Sequence, residues 1–145
     1  MTKAKILVVD DDKSLLDLIH IRLDASGYDV SAVDHENEAK EIATKKNFGA
    51  AVIDLQLVKQ DGISLMEELH LIQPELPVII LTAHGSIENA VEAMERGALN
   101  YLTKPFESRE LIMQIERGLE KSRLTGEVNR LKELLEEKFN FANIK

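Results

Sequence analysis

The 145-residue chain has no cysteine and no tryptophan, and only three prolines and seven glycines. Without cysteine there is no disulfide framework, no thiolate metal site and no cysteine nucleophile. Aromatic residues make up only 4% of the chain, which argues against a stacking platform for single-stranded nucleic acid. Long apolar runs are also missing. The N-terminus reaches only four consecutive apolar residues, Ile6–Val9, before three aspartates intervene. A secretory signal needs a longer apolar stretch, and a membrane span needs roughly 20 residues. A soluble, cytoplasmic protein is the expectation.

What the chain has instead is acid and enough apolar residue for a core. It is 44% hydrophobic and 30% charged, with a net charge of −8. The charge is uneven: residues 121–145 carry six Lys/Arg against four Glu, leaving −10 on residues 1–120. A globule of that sign does not neutralise phosphates, so direct nucleic-acid binding is not expected. The length suits one domain with an extra arm.

Short runs rich in Val, Ile and Leu occur at Lys5–Val9, Tyr28–Val33, Ala50–Ile53, Pro77–Leu81 and Leu99–Thr103, and read as strands. The first, third and fourth lack apolar/polar alternation, the mark of strands covered on both faces. Helical spacing falls between and after them. Leu15, Leu16, Ile19 and Leu23 share one face; Ala39, Ile42 and Ala43 a second; Leu65, Met66, Leu69 and Ile72 a third, ended by Pro74. A fourth comprises Ile87, Ala90, Val91 and Met94, between Ser86 as N-cap and Gly97 as C-cap; Leu111, Ile112, Ile115 and Leu119 begin the fifth. Five strand–helix alternations predict an α/β fold: a doubly wound, five-stranded parallel sheet flanked by five helices. In such folds the ligand site lies beyond the carboxyl ends of the strands.

Those ends carry the chemistry. The first run delivers Asp10, Asp11 and Asp12, the third Asp54, the fourth Thr82 and the fifth Lys104. Asp12 alone is an ordinary helix cap. Asp54 terminates what should be a central strand. Crowded carboxylates repel and raise one another's pKa unless a cation intervenes. Lys104 is one such cation, and a hard divalent ion such as Mg²⁺ is another. With the charge balanced, Asp54 could accept a phosphoryl group as an acyl phosphate, and Thr82 could donate its hydroxyl to a phosphoryl oxygen.

Taken together, Ile6-Leu7-Val8-Val9-Asp10-Asp11-Asp12, Val52-Ile53-Asp54-Leu55, Asp61-Gly62, Leu81-Thr82-Ala83 and Tyr101-Leu102-Thr103-Lys104-Pro105-Phe106 closely resemble the receiver domain of two-component response regulators. The resemblance covers about residues 4–120 and implies the flavodoxin-like strand order 2-1-3-4-5. It implies that Asp54 is the phosphoacceptor for a sensor histidine kinase. It further implies that Mg²⁺ is held by Asp11, Asp54 and the backbone carbonyl of Gln56, with Asp10 near or acting through water and Asp12 as a further contributor. Thr82 and Tyr101 look like the switch pair, and Lys104 like the phosphate-binding lysine, joined to Pro105 by a cis bond. Val58 stands where the family usually has proline. Gln56 and His84 occupy positions at which the family tunes phosphoryl lifetime. His20, His35 and His70 lack ligand spacing and read as structural or solvated.

Rival readings from other classes fit less well. An aspartyl phosphohydrolase of the haloacid-dehalogenase kind needs a second Asp two residues after the nucleophile; here that residue is Gln56, which cannot transfer a proton. A flavodoxin-like cofactor binder needs a phosphate loop where this chain has three aspartates. A receiver-like interaction module not regulated by phosphorylation typically lacks an acidic, Thr or Lys position, and all are present.

Beyond residue 120 the helical pattern continues. Leu124, Val128, Leu131 and Leu135 are spaced four, three and four apart, an a/d seam. A single helix with a solvated outer face and a dimerising coiled coil are both consistent with it. The resulting organisation is 1–120 receiver, 121–140 helical linker, and 141–145, around Phe141 and Ile144, as the start of a further domain. The motifs and the linker together are similar to NtrC-type regulators. That similarity implies a homodimer and a downstream sigma-54-activating AAA+ ATPase with DNA-binding domains, all absent from this chain. No Walker motif is present.

Overall fold

The computed structural model describes residues 3–57, 60–83 and 87–143. Val58, His84, Ser86 and Ile144 lie outside the described residues, as do the side chains of Val128, Phe139 and Phe141. The elements alternate along the chain: β1 (Lys5–Val9), α1 (Lys13–Ala25), β2 (Asp29–Val33), α2 (Glu36–Lys45), β3 (Ala50–Asp54), α3 (Gly62–Ile72), β4 (Val78–Thr82), α4 (Ile87–Glu95), β5 (Asn100–Thr103) and α5 (Ser108–Asn143). The strands form one parallel sheet in the order β2-β1-β3-β4-β5, as the resemblance implied.

The three non-alternating strands are the three in the middle, and the sheet explains why. Side chains leave a strand on alternate faces, so a strand packed on both sides must be apolar at every position. Leu7, Val9, Ile53 and Ile80 join Met66 and Leu69 of α3 on one side. Ile6, Val8, Val52, Ile79 and Leu81 join Ile19 and Leu23 of α1 and Ile115 of α5 on the other.

The helices end where the sequence provides caps. Asp12 begins α1 by accepting from Leu15 N at 3.2 Å, and Asp61 begins α3 by accepting from Ser64 N at 2.7 Å. His35 caps α2, its Nδ1 accepting from Asn37 N at 3.3 Å, so its role is structural. Gly97 closes α4 at φ +121°, a conformation glycine adopts without strain.

Helix α4 departs from its expected face. Of the predicted core residues, Ala90 is buried, but Val91 is 47% and Met94 39% exposed, while Ala93 is fully buried. Alanines let the helix lie close to β4 and β5, and that approach turns the bulkier side chains outward. In α3, Leu65, Met66 and Leu69 are buried as expected, whereas Ile72 is 37% exposed at the helix end. Helix α5 runs unbroken for 36 residues, about 54 Å at 1.5 Å per residue. Its first turns close over the sheet through Leu111 and Ile115, while Leu124, Leu131 and Leu135 are exposed.

Glu36, the first residue of α2, is buried, and its Oε1 has no hydrogen-bond partner. A carboxylate in a first helical turn gains about 0.3–1 kcal/mol from the helix dipole, but an unpaired buried acceptor costs about 1–3 kcal/mol. The cost is the larger. Glu36→Met should therefore raise the free energy of urea unfolding by about 1 kcal/mol; an equal or lower midpoint would show that the carboxylate is satisfied in solution.

Candidate functional site

The parallel sheet gathers its chemistry at one edge because every strand runs the same way. Strands β1 and β3 are neighbours, with Val9 opposite Ile53, so the following residues Asp10 and Asp54 arrive side by side. Asp54 pairs with Leu81 in the next strand, which places Thr82 one step further out along the same edge. Thr82 in turn pairs with Thr103, whose successor is Lys104.

Asp10, Asp54 and Thr82 are buried, while Asp11 is exposed. The Lys104 ammonium lies between the two buried carboxylates, 3.1 Å from Asp10 Oδ2 and 3.4 Å from Asp54 Oδ2. The Lys104–Pro105 peptide is cis. Each carboxylate has a second anchor from the backbone. Asp12 N donates to Asp10 Oδ1 at 2.9 Å, and Gln56 N donates to Asp54 Oδ1 at 3.3 Å.

Electrostatics set the state of this cluster. Burial, then the neighbouring Asp10, pushes the Asp54 carboxyl up to about 6, with Lys104 and the Gln56 amide pulling the other way. For Lys104, burial alone would lower the pKa; the hydrogen bond to Asp10 and the charges of Asp10 and Asp54 together outweigh it and raise it. Carboxylate oxygens of Asp10, Asp11 and Asp54 lie within 4.8 Å of one another. Three carboxylates against one ammonium leave about two negative charges unbalanced when all are ionised. A hard divalent cation with oxygen ligands fits that deficit, and the exposed Asp11 leaves one side open for the waters that Mg²⁺ keeps.

The other expected site residues fall into two groups. Thr82 Oγ1 donates only a long 3.3 Å hydrogen bond, to Ala83 O, so its hydroxyl is weakly committed. Tyr101 is half-buried and packs against the core on the α3 side of the sheet. The Gln56 side chain is exposed, its amide turned to Asp54. Asp12 is not among the grouped carboxylates; its side chain is spent on capping α1. His70 Nε2 lies 2.8 Å from Leu76 O, away from the site.

The crossing from β3 to α3 is held close. Leu55 N donates to Leu81 O at 2.8 Å, Gly62 N donates to Leu55 O at 2.7 Å, and Gln56 and Asp61 form an antiparallel bridge. A Cβ at Gly62 would sit 2.8 Å from the Leu55 Cα and closer still to the Asp54 carbonyl oxygen, so only glycine permits this approach. Sequence reading did not single out Gln60, Glu68 and Lys40, whose side chains meet beside this crossing. No local spacing relates them. A cleft of about 650 Å³ opens beside the crossing, between α3 and α4, lined by Leu55, Gln56, Asp61, Ser64, Asn89 and Arg96 among others. Among the described residues, no helix is long and apolar enough to cross a membrane.

Residues 6–116 match the family described as the response regulator receiver domain. Over 119 residues the chain is 40% identical to the transcriptional regulatory protein GlrR of Escherichia coli (strain K12), a match covering 82% of this chain and 27% of that protein. It is 36% identical over 118 residues to the transcriptional regulatory protein FixJ of Bradyrhizobium diazoefficiens, covering 81% of this chain and 58% of FixJ. Among solved structures, NtrX from Brucella abortus in complex with ADP superposes with a TM-score of 0.86 at 36% identity, over 90% of this chain and 30% of NtrX. A receiver domain protein from Clostridium thermocellum superposes with a TM-score of 0.81 at 33% identity, over 84% of this chain and 98% of that one. This chain thus spans about a quarter of GlrR and under a third of NtrX.

The raised Asp54 pKa carries a stability consequence in metal-free protein. Unfolded, the group titrates near 3.8; folded, near 6. Ionising it is therefore harder in the fold, and its stabilising contribution, full below pH 4, is lost as pH rises through about 6. Asp54→Asn should match the parent most nearly at pH 4.5 and become the more stable protein at pH 7.5, by about 1–2 kcal/mol. Urea unfolding in chelator at the two pH values checks this; a gap that does not widen would mean Asp54 is fully ionised in the fold.

Proposed function

The chain belongs to the response regulator receiver domain family, and on that premise we propose that it is a phosphorylation-controlled switch whose Asp54 takes a phosphoryl group from a sensor histidine kinase. Receivers of this family are signalling modules rather than conventional enzymes. The observation that carries the assignment to Asp54 is its setting. It is the last residue of the central strand, buried, anchored by the Gln56 amide and 3.4 Å from an ammonium it shares with Asp10.

Asp11, Asp54 and the backbone carbonyl of Gln56 would hold Mg²⁺, with Asp10 close by or acting through water. Bound there, the ion would supply positive charge against the phosphoryl oxygens. Asp54 Oδ attacks the phosphorus of a phosphohistidine. The new O–P bond forms as the P–N bond breaks, and the electron pair leaves with the imidazole. Lys104 can turn from the Asp54 carboxylate to a phosphoryl oxygen and follow the charge. Thr82, tied only to Ala83 O, can redirect its hydroxyl to another phosphoryl oxygen. Tyr101 then turns inward into the space Thr82 leaves.

The output is a change of surface. Helix α4, strand β5 and helix α5 would repack, with the exposed Val91 and Met94 on α4 available to a partner surface. Helix α5 carries that change out of the domain as one unbroken rod. We read residues 1–120 as the receiver, 121–140 as a linker that pairs with a second copy, and 141–145 as the beginning of a downstream domain. The similarity to NtrX over 90% of this chain supports an output of the NtrC type, a transcription-activating AAA+ ATPase.

A small phosphodonor with Mg²⁺ should add the mass of one phosphoryl group to the intact protein, and Asp54→Asn should add none. Lys104→Ala should slow uptake about a hundredfold, as loss of a single preorganised charge donor does. Uptake by Asp54→Asn at the parental rate would move the acceptor elsewhere. Sedimentation with and without a beryllofluoride mimic should differ; identical assembly would reject the switch while leaving the acceptor in place.

A further inference from the structure

The chain leaves the sheet at Asp54, passes Gln56 and re-enters a helix at Gly62. That crossing decides where the Gln56 carbonyl points. Its base is set by the backbone bridge between Gln56 and Asp61. Above the base, the Gln60 side chain ties it to the rest of the molecule. Gln60 Nε2 donates to Glu68 Oε2 at 3.0 Å, from the crossing to α3. The same oxygen receives Lys40 Nζ of α2 at 2.9 Å. Glu68 thus joins two helices and the crossing at one atom. Its carboxyl is held below the usual range by the Gln60 hydrogen bond, then by Lys40, so it stays charged and accepting at neutral pH.

We propose that Glu68 is a positioning residue for the metal: by gripping Gln60 and Lys40 together it fixes the β3–α3 crossing, and with it the Gln56 carbonyl. This rests on the reading of Asp11, Asp54 and Gln56 as the Mg²⁺ ligands. Glu68 and Lys40 are both partly exposed, and such pairs contribute little to global stability. What they alter is the local freedom of the segment they fasten. Loss of a partner one bond from a metal ligand typically costs 10–100-fold in affinity. Glu68 acts from further away, through Gln60 and the backbone, so about three- to tenfold is expected.

The test is an Mg²⁺ titration of the whole chain followed by amide chemical shifts. Glu68→Ala should weaken Mg²⁺ binding about three- to tenfold, leave the urea midpoint within error of the parent, and speed amide exchange of Leu57 and Gln60 in metal-free protein. Glu67→Ala is the charge control: the neighbouring residue on α3 removes the same charge while pairing instead with Arg96 at 3.2 Å. It should bind Mg²⁺ nearly as the parent does. The double variant Gln60→Glu/Glu68→Gln keeps the net charge, reverses the hydrogen bond and leaves a carboxylate within reach of Lys40; it should recover most of the lost affinity. Unchanged affinity in Glu68→Ala, or an equal loss in Glu67→Ala, overturns the proposal. Saturable Mg²⁺ shifts in the parent that vanish in Asp54→Asn check the metal reading separately. If the parent shows none, the ligand assignment falls and this inference with it.

Discussion

Two buried carboxylates share one ammonium at the sheet edge, and the behaviour of the site follows from that imbalance. Lys104 reaches both Asp10 and Asp54 from the far end of β5. It stabilises each against the other, but one cation cannot neutralise two anions with Asp11 alongside. Burial, then the charge of Asp10, keeps the Asp54 carboxyl titrating near 6, and the residual negative charge suits the cluster to a divalent ion. The same imbalance suits the site to the proposed switch. Any group that brings its own charge to Asp54 must redistribute Lys104, and Lys104 directly follows the strand that carries Tyr101.

The rest of the fold serves to keep that edge in register and one face adjustable. Central strands apolar at every position are locked between two helical layers, so Asp10, Asp54 and Thr82 have little freedom to drift. Helix α4 is attached differently. It rests on the sheet through alanines and presents Val91 and Met94 to solvent. A helix held by small contacts loses less when it moves than one anchored by large side chains. Rigidity beneath Asp54 and latitude at α4 suit the proposed device, which turns a local charge change into a surface change.

Much of this was legible in the residue order. The uniform hydrophobicity of β1, β3 and β4 marked them as central, and Asp54 at the end of such a strand stood out as a candidate site residue. The caps at Asp12 and Gly97 needed only local rules. The face of α4 was not legible, because helical periodicity cannot distinguish Val91 and Met94 pointing inward from Ala90 and Ala93 doing so. Which stripe is buried depends on how close the sheet allows the helix to come. Nor did the residue order single out Glu36, which packing has covered.

The sequence by itself determined the alternation of strands and helices, the central strands, the capping residues and the residue types waiting at the strand ends. These depend on neighbours within a few positions, where periodicity, φ preferences and local hydrogen bonds operate. Tertiary structure alone decided that Lys104 lies between Asp10 and Asp54, that Asp12 stays outside the grouped carboxylates, and that Gln60, Glu68 and Lys40 meet at one oxygen. Those outcomes join residues far apart in the chain or choose between two local uses of the same side chain. They are settled only when the sheet order brings the strand ends together and burial sets the energy of each charge.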